Sequence, residues 1–156
     1  MLKSILRGAA AGAVGTTALN AVTYLDMVVR GRGASSTPEQ SVRSMADTAG
    51  VEVPGDDDQR QNRVSGAGAL LGILTGVSVG VAYGLARAVG WRAPAPVAGV
   101  VTGAAAVAAT SLPMAAMGVS DPREWSTADW LSDLLPHLAY GLSVAATYAA
   151  MTSEES

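Results

Sequence analysis

The chain has 156 residues, enough for one domain, and a formal net charge of −3 at pH 7. It contains no cysteine, which excludes disulfides, thiolate metal sites and cysteine nucleophiles. It also lacks the basic excess that is typical of a nucleic-acid-binding protein.

Apolar residues are concentrated in four windows that contain no Asp, Glu, Lys or Arg. The windows are 18, 23, 28 and 20 residues long and cover residues 8–25, 64–86, 93–120 and 134–153. A membrane-spanning helix needs about 20 mostly apolar residues. The alternative, a soluble bundle rich in Ala and Gly, is disfavoured because the windows lack the charged stripe of a water-facing helix. The sequence therefore predicts an all-α, integral membrane four-helix bundle that forms a single membrane domain over residues 1–156.

The first span is predicted over residues 4–29. A basic N-terminus precedes its apolar run, as in a signal peptide. The run nevertheless continues to Val29 and is followed by Arg30 and Arg32, so we interpret it as a retained helix. Asp26 lies one turn before its end and is expected to pair with Arg30 at i+4.

Residues 30–63 form the predicted extramembrane segment, with one short amphipathic helix. Thr37 is the expected N-cap, with Pro38 in the first position and Gln40 reaching back, and Gly50 can close the helix. Its apolar positions, which recur at i, i+3, i+4 and i+7, are Val42, Met45, Ala46 and Ala49. This helix could lie on the membrane surface or cap the bundle. Residues 56–58 are all Asp and are expected to stabilise the start of the next helix.

The second span, predicted over residues 57–88, carries five glycines spaced four residues apart. They are Gly68, Gly72, Gly76, Gly80 and Gly84. In water each interior Gly costs about 1 kcal/mol relative to Ala, whereas in a bilayer close backbone approach holds helices together. We call this row the glycine ladder and expect it to pack against a helix of this chain or of another.

The third span is predicted over residues 95–118. Gly99 and Gly103 repeat the small-residue spacing, and Pro113 is expected to kink the helix and free the carbonyl of Ala109. These glycines and the proline are predicted to serve helix packing.

The fourth span is predicted over residues 127–151, before an acidic tail at Glu154 and Glu155. Asp129, Asp133 and His137 are spaced i, i+4 and i+8, on one face of this helix. Ionisable groups inside a span are costly and mark functional sites. Two interpretations stay open: a proton or ligand site, or a structural His137 hydrogen-bonded to another helix. One His with nearby carboxylates falls short of a zinc ligand set.

The second half of the chain resembles a family of bacterial inner-membrane proteins that includes YagU. The resemblance begins near residues 81–84 and continues through Trp91 and a Gly-rich third span. It is carried further by Ser111-Leu112-Pro113 with Gly118, and by Ser132-Asp133 followed by His137-Leu138. It implies a multi-pass protein of the bacterial cytoplasmic (inner) membrane, with Pro113, Asp133 and His137 as family-type positions. Members of this family are loosely linked to acid tolerance, and the family has no agreed biochemical activity.

These observations are consistent with two alternative functions. The first is a structural or accessory membrane protein whose partners are the lipid bilayer and either copies of itself or other membrane proteins. The second is a proton or small-solute conduit that uses Asp133 and His137. A membrane enzyme ranks third, because it needs another catalytic group near His137. No cofactor motif is present in the sequence: the glycine ladder follows no strand, as a dinucleotide fingerprint would require.

Overall fold

The computed structural model of the chain describes residues 1–153, and within this range it is all-α, as predicted. Its five α-helices are α1 (Leu2–Arg30), α2 (Thr37–Ala49), α3 (Asp57–Ala88), α4 (Ala95–Ala116) and α5 (Thr127–Ser153). A single 3-10 turn at Pro122–Glu124 joins α4 to α5. The four predicted long helices agree with α1, α3, α4 and α5 to within two residues at every end. The acidic tail predicted at Glu154 and Glu155 lies outside the described residues.

Local chemistry accounts for the start of α3 and the end of α2. Asp56 caps α3, since its side chain accepts a hydrogen bond of 2.9 Å from the Gln59 amide. The predicted start of α2 is wrong by one residue. Its N-cap is Ser36, and the Gln40 side chain donates to the Ser36 hydroxyl at 2.8 Å. Gly50, with a φ of 65°, closes α2 in the left-handed conformation that glycine adopts without strain.

The long helices pack in the order α3, α1, α5, α4 across the molecule. Neighbours in this row run antiparallel: Gly8 of α1 lies opposite Gly80 of α3, and Gly99 of α4 lies opposite Leu142 of α5. The contact between α3 and α4 is much smaller than those along the row. The two central helices, α1 and α5, therefore each pack against two long neighbours.

Most of the glycine ladder is used inside the chain. Gly76, Gly80 and Gly84 face α1, and a Cβ added at Gly80 would lie 2.7 Å from the Gly12 nitrogen. Gly68 faces α2 instead. Gly72 has no described atom within 4 Å of where its Cβ would be. Gly99 and Gly103 lie directly against α5, where an added Cβ would be 2.7 Å from atoms of Leu142 and His137 respectively.

Large apolar side chains point outward on all four long helices. Leu25 of α1, Leu74 of α3, Val100 of α4 and Leu135 of α5 are each more than half exposed. The accessible surface of 9090 Å² exceeds the roughly 7,200 Å² expected of a soluble monomer of this mass. In the most apolar windows of α3 and α4, only 17% and 33% of residues are buried. By length and composition, both of these helices could cross a membrane.

Candidate functional site

One face of α5 is buried along most of its length. Asp133, His137, Tyr140, Val144 and Tyr148 follow each other at intervals of three or four residues, which places them on one side of a helix. His137 is 9% exposed, and Tyr140 and Val144 are fully buried. The half of this face nearer the start of α5 therefore carries polar groups into the interior of the bundle.

Asp133 and His137 form the pair that their spacing predicts. The His137 Nδ1 lies 2.7 Å from the backbone carbonyl oxygen of Asp133 and 3.4 Å from its carboxylate Oδ1. In the neutral ring this geometry places the proton on Nδ1, because both neighbouring oxygens accept hydrogen bonds. The partner of His137 is therefore in its own helix. The predicted alternative, a hydrogen bond from His137 to another helix, is not formed among residues 1–153.

Asp129 does not join this pair. Its Oδ2 accepts hydrogen bonds from the Ser126 amide at 2.9 Å and from the Ser126 hydroxyl at 2.6 Å. The Ser126 hydroxyl accepts in return from the Asp129 amide at 3.2 Å. This reciprocal arrangement caps α5 at the exposed surface, so Asp129 has a structural role that is separate from the buried pair.

A polar cluster lies next to the Asp133–His137 pair, at the end of the bundle where α1 ends and α5 begins. Asp26 Oδ2 accepts from Arg32 Nε at 2.5 Å, and its Oδ1 lies 3.5 Å from Arg30 Nη1, as the i+4 spacing predicted. Arg30 Nη1 also donates to the Ser132 hydroxyl at 2.5 Å. Ser132 directly precedes Asp133, so this cluster holds α1 against the entrance to the buried pair. The sequence reasoning missed Ser132, which acts across the contact between α1 and α5, and Arg32, which bonds back to Asp26 from just beyond the end of α1.

Two buried side-chain oxygens have no hydrogen-bond partner among residues 1–153, namely Asp133 Oδ2 and Ser111 Oγ. They lie on facing helices. Gly103 of α4 packs against the His137 carbonyl. Because the two helices are antiparallel, this contact places Ser111 about 6 Å beyond the level of Asp133 along the helix axis. A buried oxygen without a partner needs a proton, a water or a ligand. The face of Asp133 that His137 leaves open is therefore the candidate position for such a proton, water or ligand.

Tyr140 closes the inner end of the site, a role that sequence reasoning did not assign to it. Its hydroxyl donates a 2.6 Å hydrogen bond to the Gly76 carbonyl of α3. A Cβ added at Gly15 of α1 would lie 2.8 Å from the Tyr140 ring. Tyr140 thus joins α5 to α1 and α3 one turn after His137. The sequence signal for this role is that Tyr140 lies three residues after His137, which places both side chains on the same face of α5.

Beyond Tyr140 the buried face becomes apolar. Val144 is completely buried, and the next polar group on the face is Tyr148, whose ring packs edge-on against Tyr83 at 5.3 Å. Tyr140 and Tyr148 are eight residues, or about 12 Å, apart along the helix. The row of polar side chains on this face of α5 is therefore interrupted between Tyr140 and Tyr148.

An open cavity of about 450 Å³ lies at the connection between α4 and α5. Asp121 and Glu124 are among its lining residues. Side-chain and backbone hydrogen bonds from Arg123 lower the pKa of Asp121, so this carboxylate is ionised at neutral pH and caps the 3-10 turn. Within residues 1–153, no three His, Asp or Glu side chains are grouped closely enough to hold a metal ion.

Comparison of the chain with protein-family models, with curated proteins and with solved structures finds no match.

Proposed function

We propose that the chain is a multi-pass protein of the bacterial cytoplasmic membrane, with α1, α3, α4 and α5 as its four spans. The supporting observation is that large apolar side chains are exposed on all four of these helices. In water such a surface would be covered by a partner or would aggregate. The 29 residues of α1 and the 27 of α5 correspond to about 44 and 40 Å, enough to span a bilayer.

The resemblance of the second half to the YagU-like family adds the bacterial inner membrane to this proposal. The role that we propose is structural or accessory: a compact bundle that associates with copies of itself or with other membrane proteins. Because α1 occupies most of the glycine ladder, such an association has only Gly72 available on that row. Gly72 is therefore the position on the ladder that such an association would use.

Single cysteines test the four-span topology, since the native chain has none. We expect Ser35→Cys and Glu124→Cys to react with a membrane-impermeant thiol reagent from one side of the membrane. Val89→Cys, in the connection between α3 and α4, should react from the other side. The sites suit labelling because Ser35, Val89 and Glu124 are all exposed. Labelling of all three from the same side, or loss of the protein from membranes on alkaline washing, would contradict the proposal.

A second candidate function is uptake of protons at Asp133 and His137, either as a conduit or as a step in acid tolerance. The observation that favours it is the buried pair with a free Asp133 oxygen, beside the polar cluster of Asp26, Arg30 and Ser132. Because the face beyond Tyr140 is apolar, protons would reach Asp133 and His137 only from the end of the bundle that holds the polar cluster. A through-conduit would require the helices around Val144 to separate.

Proton flux into vesicles tests this second function. We expect Asp133→Asn, which keeps the shape of the side chain but removes its charge, to reduce flux driven by a pH gradient to that of protein-free vesicles. Asp129→Asn is the matched control, because this carboxylate lies on the same helix but only caps its exposed end. Equal flux in wild type and Asp133→Asn, or no flux in wild type, would rule out a conduit.

A further inference from the structure

The short amphipathic helix α2 lies along the side of α3, away from the central helices α1 and α5. Pro38 packs on Gly68, where an added Cβ would lie 3.1 Å from the Pro38 side chain. Farther toward the start of α3, Gln61 accepts from Arg43 at 2.5 Å and donates to Glu39 at 2.7 Å. These contacts attach α2 to the outer surface of α3, so α2 does not cap the bundle.

A wholly apolar groove of about 280 Å³ opens between the two helices. Its lining residues are Val42, Met45, Ala67, Leu70, Leu71 and Leu74. Met45, Leu70 and Leu74 remain 49%, 61% and 63% exposed in spite of this packing. The pairing of α2 with α3 therefore leaves apolar surface uncovered on both helices.

The position of the groove along α3 indicates what covers it. The charge-free window of α3 begins at Val64, and the groove runs from Ala67 to Leu74. At 1.5 Å per residue, this corresponds to depths of about 5 to 15 Å below the start of the window. One leaflet of a bilayer contributes about 15 Å of hydrocarbon. The groove thus lies at the depth of the acyl chains of one leaflet, and it is continuous with the exposed face of α3 at Ile73 and Leu74.

We propose that α2 is an interfacial helix and that the groove is a docking surface for the acyl chains of bilayer phospholipids. The inference rests on the proposed function, since it requires α3 to span the membrane. Arg43, Gln61 and Glu39 then lie at the level of the lipid headgroups. The charged side chains of α2 are Glu39, Arg43 and Asp47, so the helix has no basic excess. Burial of apolar surface drives the docking, and anionic lipid is not required.

Spin labels on single cysteines test this placement in vesicles of uncharged (zwitterionic) phosphatidylcholine. The variants are Met45→Cys in the groove, Asp47→Cys about 200° around α2, and Ile73→Cys on the outer face of α3. Collisions with dissolved oxygen report lipid exposure, and collisions with a water-soluble nickel chelate report water exposure. We expect the oxygen-to-nickel ratio to be several-fold higher at Met45 and Ile73 than at Asp47.

The three labelled positions distinguish a failure of the proposed α2 docking from a failure of the proposed α3 span. Nickel access at Met45 together with oxygen access at Ile73 would overturn the docking of α2 but retain the span of α3. Nickel access at both positions would overturn the proposed function as well. Shielding of Met45 from both reagents, with spectral broadening that disappears when labelled protein is diluted with unlabelled protein, would assign the groove to a second copy of the chain.

Discussion

Replacing Gly80 with Leu is expected to abolish the stable bundle. The backbones of α1 and α3 meet at this position, where an added Cβ would lie 2.7 Å from the Gly12 nitrogen. The obstacle is backbone, which cannot rotate away as a side chain can, so the helices must separate. Overpacking of a core costs about 1–3 kcal/mol, and we expect a loss at or above that range. Equilibrium unfolding by SDS in mixed micelles measures it.

Gly72→Leu is the matched control, because it makes the same change on the same row about two turns away. No described atom lies within 4 Å of the position that its Cβ would occupy. We therefore expect its stability in mixed micelles to stay within about 0.5 kcal/mol of wild type. If the outer face of α3 binds a partner, this variant should also lose the native oligomer, as measured by native mass spectrometry. Equal destabilisation by both substitutions would contradict the packing of α3 on α1.

Replacing Tyr140 with Ala is expected to give the second large effect. The ring is fully buried between α1, α3 and α5, with Gly15 on one side and Gly76 on another. Truncating a large aromatic side chain in a core costs about 3–5 kcal/mol, because the surrounding helices collapse only partly into the cavity. Unfolding in mixed micelles should show this loss.

Tyr140→Phe separates packing from hydrogen bonding at the same position. It keeps the ring and removes only the 2.6 Å bond to the Gly76 carbonyl. A single interhelical hydrogen bond in a membrane protein contributes about 0.6–2 kcal/mol, so this variant should retain most of the stability. If Tyr140→Phe were as unstable as Tyr140→Ala, the hydroxyl and not the ring would hold the three helices together.

The helix ends could be read from the sequence because they depend on local chemistry. Asp56 caps α3 and Ser126 caps α5 through hydrogen bonds that span three residues. The pairing of Asp133 with His137 was predictable for the same reason, since residues four apart on a helix are neighbours. Asp129, by contrast, follows Ser126 at the spacing of a capping box, and its carboxylate bonds to Ser126 and not to the buried pair.

The candidate site could be predicted only in part. Spacing along α5 identified Asp133 and His137, but the groups that enclose them come from distant parts of the chain. Arg30 reaches Ser132 across 102 positions, and Tyr140 reaches the Gly76 carbonyl across 64. Such contacts depend on the relative rotation of whole helices, on which a local pattern carries no information.

By itself, the sequence determines that this chain is helical, where its long helices begin and end, and that α3 has a face suited to close packing. These properties follow from caps, hydropathy and glycine spacing, all of which act within a few residues. Only the tertiary structure decides that α1 fills most of that face and leaves Gly72 open. It also decides that α2 packs beside α3, because the choice among equally apolar surfaces depends on how the backbones fit together.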